Sequence, residues 1–562
     1  MEQRVWHRHY DEGVPADFVF EERTLPAALE RAARERPDHD ALWFFDRRMS
    51  YRGLNGQVDR LATALSGLGV ARGDRVAIQL PNLPQTVIAY YAVLRLGAVV
   101  VMTSPLYTER EITHQWHDAG CTVAIVTDFL WASRIRSIRG TLPIRQYVVA
   151  SIPEYLGFPR NLLAPFKLKR SHPPMWAPVR PETGVHRFLA LVRSARPAPP
   201  PLEVAMDEVA ALQYTGGTTG LAKGAVLTHR NLSCNAQGVS AWLHIPGLGD
   251  EVVLAALPLF HVFGMTVSMN FPVWSACAMV LIPNPRDFGA LMRTSARRKV
   301  TQFMGVPALF NGILNHPDVR SFDLSCVKSC FSGSAPLPVD VLERFEAMTG
   351  SRIVEGFGLT ETSPVTHVNP LRTLRKVGSI GVPFVETDAR IVDLDTGTQA
   401  LPPGQDGELV VRGPQVMRGY WNRPEETAEM IRDGWLYTGD IAHMDDDGYF
   451  FISGRKKEMI IVSGYNVYPD EVDGVLAAHP AVLESGTIGL PDERCGERVK
   501  SFVVLRPGAN ATAEELIAHC RANLAVFKLP REIAFRAELP KSGALKVLRR
   551  ALRDEEMKAT RV

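Results

Sequence analysis

The chain has 562 residues, of which 46% are hydrophobic and 22% charged, and this globular composition excludes extended disorder. Because one compact core cannot enclose so long a chain, we expect at least two domains. The formal net charge of +2 excludes a global field that would recruit nucleic acid, and we expect no nucleic-acid partner.

The N-terminal part of the chain alternates between helical and strand patterns. Val58, Leu61, Leu65 and Leu68 recur at intervals of three and four residues, which places them on one face of an amphipathic helix. Short apolar runs farther along predict strands, with helical patterns between them. In chain order these are strands 76–80, 122–127, 252–257 and 278–282, helix 287–298, strands 300–304 and 326–332, helix 339–348 and strand 352–355. This alternation predicts an α/β fold with a doubly wound parallel sheet.

Residues 155–170, YLGFPRNLLAPFKLKR, mix aromatic, aliphatic and basic side chains. We expect an ordered surface loop here, because the prolines at 159 and 165 prevent a continuous helix. Docking on a membrane surface is the alternative interpretation of the same composition.

The sequence pattern changes near Lys457. From there to the C-terminus we expect a small α+β unit with helices 470–478 and 513–523 and strands 483–489 and 498–505. We therefore predict two domains, residues 1–456 and residues 457–562.

Cysteine usage and apolar stretches indicate the compartment. The seven cysteines are scattered, which does not predict a disulfide framework, and we interpret Cys326 and Cys330 as buried strand residues rather than a metal site. The polar N-terminus lacks the apolar core of a signal peptide, and the longest apolar stretch, residues 87–102, is interrupted by Arg95 and Gly97. We expect a cytoplasmic protein without a membrane span.

A glycine- and threonine-rich motif, YTGGTTGLAKG, occupies residues 214–224. Glycines let backbone N–H groups face a phosphate, threonine hydroxyls add donors, and a lysine adds positive charge. The common phosphate-loop pattern GxxxxGK[ST] is absent, so this is a different phosphate-binding loop. The residues predicted to bind phosphate here are Thr215, Gly216, Gly217, Thr218, Thr219, Gly220 and Lys223.

With this motif the sequence resembles the adenylate-forming superfamily of acyl-CoA synthetases, peptide-synthetase adenylation domains and luciferases. The resemblance covers essentially the whole chain, and YTGGTTGLAKGAVLTHRN together with SPLYTERE is most similar to bacterial long-chain fatty-acid CoA ligases. It implies a large N-terminal domain and a small mobile C-terminal domain. It also implies ATP-dependent activation of a medium- to long-chain fatty acid to an acyl-adenylate, then transfer to CoA, with Mg²⁺ as the cofactor.

The resemblance assigns roles to residues of the N-terminal domain. In the stretch EGFGLTE, Phe357 stacks on adenine, Thr360 touches the α-phosphate and Glu361 holds Mg²⁺. The stretch follows a predicted strand, where ligands of doubly wound sheets bind. The further nucleotide-binding residues are Glu355, Gly356, Gly358, Gly333, Ser334 and Ala335, and the acyl-pocket residues are Gly305, Val306, Pro307 and His261. A lone His among apolar residues is more often a core residue, and we assign His261 no acid–base role.

Four further motifs complete the implied site. Asp440 and Arg455 would bind the ribose hydroxyls, since a carboxylate accepts and a guanidinium donates hydrogen bonds. Lys457 matches the residue about which the small domain pivots. The segment of Ser463, Gly464 and Tyr465 resembles the loop that meets the thiol arm of CoA.

The implied catalytic lysine is Lys546, which bridges the substrate carboxylate and the α-phosphate in the family. The usual motif has glycine immediately before this lysine, whereas this chain has Leu545. Leucine adopts positive φ at a cost, so the loop is expected to be stiffer, with Gly543 as a source of freedom.

Three alternatives stay open at this point. The enzyme could be a fatty-acyl-AMP ligase that loads a carrier protein, or an aryl- or short-chain acyl-CoA ligase. A non-catalytic nucleotide- or acyl-binding homologue is the third, and the presence of Glu361 and Lys546 argues against it. Homodimer formation and peripheral contact with the inner face of the membrane are also left open.

Overall fold

A computed structural model describes residues 4–215, 222–245, 248–462, 465–492, 494–541 and 547–559. In these ranges two large sheets with parallel cores are followed by two smaller sheets. The predicted α/β class with doubly wound parallel sheets is confirmed. The predicted strands and helices lie within three residues of the observed ones, with the exception of the segment at 155–170.

Seven strands of the described residues form the first large sheet. Neighbouring strands are parallel except for the last pair, which is an antiparallel hairpin. In spatial order the strands are Val185–Arg187, Gln146–Ala150, Cys121–Thr127, Arg75–Gln79, Val99–Met102, Val209–Thr215 and Lys223–Thr228.

Nine strands within the described ranges form the second large sheet, whose five central pairings are parallel. Its outer pairings are antiparallel. In spatial order the strands are Val382–Pro383, Val365–Val368, Arg352–Gly358, Ser329–Ser332, Gln302–Gly305, Val252–Ala255, Ala278–Leu281, Asp40–Phe44 and Arg47–Ser50.

Helices cover the large sheets. The α-helices of seven or more residues before the C-terminal region are Leu25–Glu35, Tyr51–Gly67, Pro84–Arg95, Glu109–Ala119, Arg160–Lys169, Phe188–Ser194, His229–Trp242, Phe288–Arg298, Pro307–Leu314, Val339–Thr349 and Pro424–Met430. Local capping begins several of them: Ser50 Oγ accepts from the Gly53 amide, and Asp287 Oδ1 accepts from the Ala290 amide.

The main apolar core lies between the two large sheets. Helix Pro84–Arg95 is buried along its whole length and shares one apolar cluster with Ile78 of the first sheet and Met279 of the second. Alternate strand residues such as Ala77 and Val101 belong to a different cluster on the outer face of the first sheet. Burial on both faces explains why these strands are apolar runs rather than alternating patterns.

The two smaller sheets follow in the chain. The first is antiparallel, with strands Asp388–Val392, Gly407–Arg412, Ile431–Arg432, Trp435–Met444 and Phe450–Arg455. The second is C-terminal, with strands Ile460–Val462, Tyr465–Val467, Val482–Asp492, Gly496–Leu505 and Glu532–Phe535 and helices Pro469–Ala477, Ala513–Asn523 and Arg549–Ala559. The chain passes from one sheet to the other between Arg455 and Ile460.

Two local predictions are wrong. Helix Arg160–Lys169 replaces the predicted loop. Pro159 stands at its N-cap, where no N–H is required, and Pro165 removes only the bond to the carbonyl of Asn161. Cys330 is a buried strand residue as expected, but Cys326 is partly exposed and precedes the strand, which begins at Ser329. No helix in the described ranges is both long enough and apolar enough to span a membrane.

Candidate active site

The residues on either side of the glycine-rich motif pair as antiparallel strands. Thr215 ends one strand, Lys223 begins the next, and the two residues are opposite each other in the antiparallel register. Lys223 Nζ lies 3.6 Å from Glu426 Oε1 and 5.4 Å from the ring centroid of Tyr420. Five of the residues predicted to bind phosphate lie outside the described residues, namely Gly216, Gly217, Thr218, Thr219 and Gly220.

Glu361 lies in a short 3₁₀ turn between strands Arg352–Gly358 and Val365–Val368 of the second large sheet, and it is buried. The hydroxyl group of Tyr420 donates a hydrogen bond of 2.6 Å to Glu361 Oε1. The amide of Met417 donates to the Glu361 carbonyl oxygen over 2.7 Å. The predicted metal ligand is therefore held at two points by the segment 417–420.

The same segment also pairs with the strand that follows the glycine-rich loop. The Val226 amide donates to the Gly419 carbonyl over 2.9 Å, and the Trp421 amide donates to the Gly224 carbonyl over 2.7 Å. One short segment thus connects the strand that begins at Lys223 with Glu361.

Electrostatics keep Tyr420 in its donor form. Burial and the negative charge of Glu361 raise the pKa of the Tyr420 hydroxyl well above its ordinary value, while the positive charge of Arg455 acts in the opposite direction. The phenol therefore stays protonated at neutral pH.

Asp440 and Arg455, the predicted ribose-binding pair, are neighbours in the antiparallel sheet. They are register partners on strands Trp435–Met444 and Phe450–Arg455, and Arg455 Nε lies 2.7 Å from Asp440 Oδ1. Asp440 is buried, whereas the Arg455 side chain is about one-third exposed. A buried carboxylate with a partly exposed guanidinium presents both an acceptor and a donor to a ligand.

The predicted adenine and acyl residues lie at the carboxyl ends of three adjacent strands. Gly305 and Gly356 flank Gly333, whose amide donates to the Gly305 carbonyl over 3.3 Å. A β-carbon at Gly333 would lie 3.1 Å from Cζ of Phe263 and 3.3 Å from the Gly356 carbonyl oxygen. The glycine permits this close approach, and Ser334 next to it has a positive φ of 71°.

The stretch from Glu355 to Thr360 lies at the same edge of the second large sheet. Glu355 is buried and accepts the Leu337 amide over 2.9 Å, and burial raises the pKa of its carboxyl. This contact holds the loop that carries Ser334 and the exposed Ala335. The partly buried Phe357 meets His367 edge-on at 6.1 Å, and Thr360 begins the turn with Glu361.

Gly358 is required by packing, because a β-carbon there would overlap the carbonyl oxygen of Pro364. The loop between Phe357 and Glu361 can therefore close tightly only with glycine at this position.

His261 lies in the loop before the short helix Val262–Met265. Its Nδ1 accepts the Phe263 amide over 3.3 Å, and desolvation lowers the pKa of the imidazole to about 4. The ring is therefore neutral at pH 7. Val306 and Pro307 are partly buried at the N-terminus of helix Pro307–Leu314, beside the same edge.

The hinge candidate Lys457 is exposed in the turn between strands Phe450–Arg455 and Ile460–Val462. Of the CoA-loop residues, Tyr465 is exposed and stacks on Phe527 with a centroid distance of 4.7 Å. Ser463, Gly464, Leu545 and Lys546 lie outside the described residues. Lys541 and Val547, which flank the lysine loop, form an antiparallel bridge.

Two family models match this sequence. Residues 29–421 match the family described as AMP-binding enzyme, and residues 471–546 match the AMP-binding enzyme C-terminal domain. The chain belongs to the AMP-binding enzymes.

Curated relatives match this AMP-binding enzyme over almost its whole length. A long-chain-fatty-acid–CoA ligase of Bacillus subtilis (strain 168) is 42% identical, covering 99% of this chain and 98% of the relative. A long-chain-fatty-acid–CoA ligase of Yersinia pestis is 41% identical, covering 99% of both chains. A feruloyl-CoA synthase of an Amycolatopsis species is 35% identical, covering 93% of this chain and 97% of the relative.

Solved structures show the same fold. The anthranilate CoA ligase AuaEII, in complex with anthranoyl-AMP, matches with a TM-score of 0.85 at 28% identity, covering 96% of this chain and 98% of that one. ATP-bound MatB from Rhodopseudomonas palustris matches with a TM-score of 0.82 at 28% identity, covering 96% and 100%. The predicted acyl-CoA ligase class is confirmed.

Sequence reasoning missed Tyr420 and Glu426 of this AMP-binding enzyme. Tyr420 contacts Glu361, which lies 59 positions earlier in the chain. Its neighbours Gly419 and Trp421 form backbone hydrogen bonds with a strand almost two hundred positions earlier. The only local signal is the run Gly419-Tyr420-Trp421, which by itself suggests a turn with packed aromatic residues.

Proposed function

We propose that this AMP-binding enzyme activates a medium- to long-chain fatty acid with ATP and transfers the acyl group to CoA, with release of pyrophosphate and AMP. The observation that carries the proposal is the cluster in which the segment 417–421 connects the hairpin strand that begins at Lys223 with Glu361. The fatty-acid part is supported by the names of full-length relatives at about 40% identity.

In the first half-reaction, a carboxylate oxygen attacks the α-phosphorus of ATP and pyrophosphate leaves. Two anions must meet, so the residues act mainly by positioning and by neutralising charge. We assign Thr218, Thr219 and Lys223 to the β- and γ-phosphates and Thr360 to the α-phosphate. Lys546 would neutralise the charge that develops between the carboxylate and the α-phosphate.

Glu361 fits the role of a magnesium ligand. Mg²⁺ at nucleotide sites is held by one or two carboxylates together with substrate phosphates and water. Within the described residues no three His, Cys, Asp or Glu side chains group as an all-protein metal site would require. When bound there, Mg²⁺ would supply positive charge to the phosphate oxygens.

The remaining nucleotide contacts follow from the placement of each group. Asp440 would accept from the ribose hydroxyls and Arg455 would donate to the same sugar, while Phe357 would stack on adenine between the loops of Gly333 and Gly356. The neutral imidazole of His261 would border the substrate carboxyl group, where Nε2–H can donate a hydrogen bond but carries no positive charge.

For the second half-reaction we propose that the unit 457–562 rotates about Lys457 relative to the unit 1–456. The motion would withdraw Lys546 and bring Ser463, Gly464 and Tyr465 to the acyl-adenylate, where the CoA thiol attacks. The anchoring on either side of Lys457 supports this pivot. The Lys456 amide bonds to the Gly439 carbonyl over 2.9 Å, whereas Glu458 forms a 2.7 Å ion pair with Arg549 of the C-terminal unit.

An aromatic acid is the second candidate substrate, because a feruloyl-CoA synthase is 35% identical and an anthranilate CoA ligase shares the fold. The deciding experiment measures pyrophosphate release with straight-chain acids from two to eighteen carbons and with ferulate and anthranilate. Each acid is tested with CoA, with an acyl carrier protein and without an acceptor. We expect the highest kcat/KM with a medium- or long-chain acid and a thioester only with CoA.

Preference for ferulate or anthranilate would replace the fatty-acid proposal with the aromatic one. Thioester formation only on the carrier protein would make the enzyme a fatty-acyl-AMP ligase. ATP binding without pyrophosphate exchange for any acid would reject the activity as a whole. Homodimer formation is a separate proposal, which light scattering tests directly.

A further inference from the structure

Helix Arg160–Lys169 and the residue Phe158 just before it carry a patch of exposed apolar side chains. Phe158, Leu162, Leu163 and Phe166 have exposed fractions of 82%, 60%, 61% and 69%. Single exposed apolar residues are common, but four large ones on one short segment form a contiguous apolar surface. We call these four residues, together with the basic residues described below, the helix patch.

The helix keeps a separate inner face, so the exposure is not a sign of poor packing. At 100° per residue, Leu162, Phe166 and Leu163 fall within one arc of the helix, and Asn161, Ala164 and Leu168 fall on the opposite side. Leu168 packs against the main apolar cluster, and its carbonyl accepts the Met175 amide over 2.9 Å. The helix is therefore anchored by one face and presents the other to the surroundings.

Positive charge borders the apolar arc. The exposed residues Arg160, Lys167, Lys169 and Arg170 carry four positive charges, and no Asp or Glu occurs between residues 155 and 170. Lys169 flanks the arc on one side, whereas Arg160 and Lys167 flank it on the other.

The adjacent hairpin turn extends the same surface. Asp46 in this turn pairs with Arg160, and the Arg47 side chain lies 3.3 Å from where a β-carbon on Gly157 would stand. Phe45 next to them is also exposed, with a fraction of 47%. The turn therefore places one large apolar and one cationic side chain next to the helix patch, and its Asp46 offsets the charge of Arg160.

We propose that the helix patch docks the protein on a bilayer that contains anionic lipids. Apolar side chains would enter the boundary between headgroups and acyl chains, and the flanking Lys and Arg side chains would reach the lipid phosphates. This charge complementarity favours lipid over a second copy of the chain, because in a symmetric contact Lys167, Lys169 and Arg170 of both copies would face each other. The docking goes beyond the proposed reaction and does not depend on it.

The test compares binding of the full-length protein to vesicles of phosphatidylcholine alone and of phosphatidylcholine mixed with phosphatidylglycerol, by co-sedimentation. We expect binding to the anionic vesicles only, and weaker binding at higher salt. L162D/F166D should lower the partition coefficient at least about tenfold, because it removes apolar anchors and adds negative charge. K167Q/K169Q should lower it by about fivefold for each charge removed.

The matched control is V19D/V339D, which introduces two aspartates at exposed valines elsewhere and should bind like the wild type. All variants should keep the pyrophosphate-exchange rate of the wild type with a water-soluble acid, which shows that they are folded. If L162D/F166D binds as well as the wild type, or the wild type does not bind anionic vesicles, the proposal is overturned. A dimer that L162D/F166D dissociates, without vesicle binding, would overturn it in favour of self-association.

The two proposals fail separately. Vesicle binding by a protein without ligase activity would contradict only the proposed reaction. Full activity in solution without vesicle binding would contradict only the docking surface.

Discussion

Replacing Tyr420 with phenylalanine removes one hydroxyl group from the candidate site and tests how Glu361 is positioned. The hydroxyl donates a 2.6 Å bond to the buried carboxylate, and the aromatic ring that faces Lys223 is retained. The substitution therefore leaves the packing of the segment 417–421 largely intact while it deprives Glu361 Oε1 of its donor.

The expected effects follow from the charge of the acceptor. A hydrogen bond to a charged group contributes about 1.5–3 kcal/mol, and we expect the free energy of unfolding to fall by about that amount. Removing a residue that orients a metal-ligating carboxylate typically lowers metal affinity or activity by about 10- to 100-fold. We therefore expect Y420F to need at least about tenfold more Mg²⁺ for half-maximal pyrophosphate exchange, with kcat reduced about tenfold.

The assay is pyrophosphate exchange as a function of Mg²⁺ concentration at saturating acid, combined with chemical denaturation. Y10F is the matched control, because the buried Tyr10 hydroxyl donates over 2.8 Å to the neutral carbonyl of Pro383. It should cost about 0.5–1.5 kcal/mol of stability and leave exchange unchanged. In the double variant Y420F/E361Q, exchange should be no lower than in E361Q alone, since the two residues act as a unit.

A Y420F enzyme with wild-type exchange and an unchanged Mg²⁺ requirement would refute the reasoning. A loss of exchange that adds fully to that of E361Q would also refute it, because Tyr420 would then act independently of the carboxylate. The raised pKa of Tyr420 keeps the phenol protonated below pH 10, so the difference between the two enzymes should persist across the neutral pH range.

Three further predictions concern the lysine loop and a buried carboxyl group. Lys546→Ala should abolish acyl-adenylate formation but leave thioester formation from supplied acyl-adenylate nearly intact; equal loss of both half-reactions would contradict the assigned role. Leu545→Gly should preserve or raise the adenylation rate measured in single turnover, and a sharp fall would show that the leucine is needed. Burial raises the pKa of Asp128 to about 7, so the folded state holds the proton more tightly than the unfolded state. The stability that this group contributes is present below pH 4 and is lost as pH rises to 7, by about 1.4 kcal/mol per pH unit. Urea denaturation at a series of pH values measures this slope, which should be absent in Asp128→Asn.

The fold was predictable from local patterns, whereas the roles proposed for the site residues came mainly from the resemblance to a known family. Apolar runs marked the strands of the two large sheets because both faces of those strands are buried, and the helices between them carried a clear periodicity. Gly333 directly follows the strand Ser329–Ser332, and parallel strands bring their carboxyl ends to one edge, so a ligand site was predictable there.

The error at residues 155–170 shows the limit of local rules. Two prolines predicted a loop, but one occupies the N-cap and the other costs a single bond, while the partly buried Leu168 packs against the core and supports a helix. Tertiary packing therefore outweighed the loop preference of the two prolines. The exposed helix patch could be identified only after the structure showed which face of the helix packs against the protein.

The sequence by itself determined the α/β class and the order of most strands and helices, because these depend on apolar runs and periodicity. The class of enzyme followed from the resemblance that the sequence motifs carry. Only the tertiary structure decided that Tyr420 holds Glu361, that the segment 417–421 pairs with the strand after the phosphate loop, and that Arg455 lies beside Asp440. These contacts join positions far apart in the chain, and their partners are selected by hydrogen-bond geometry after the sheets have formed.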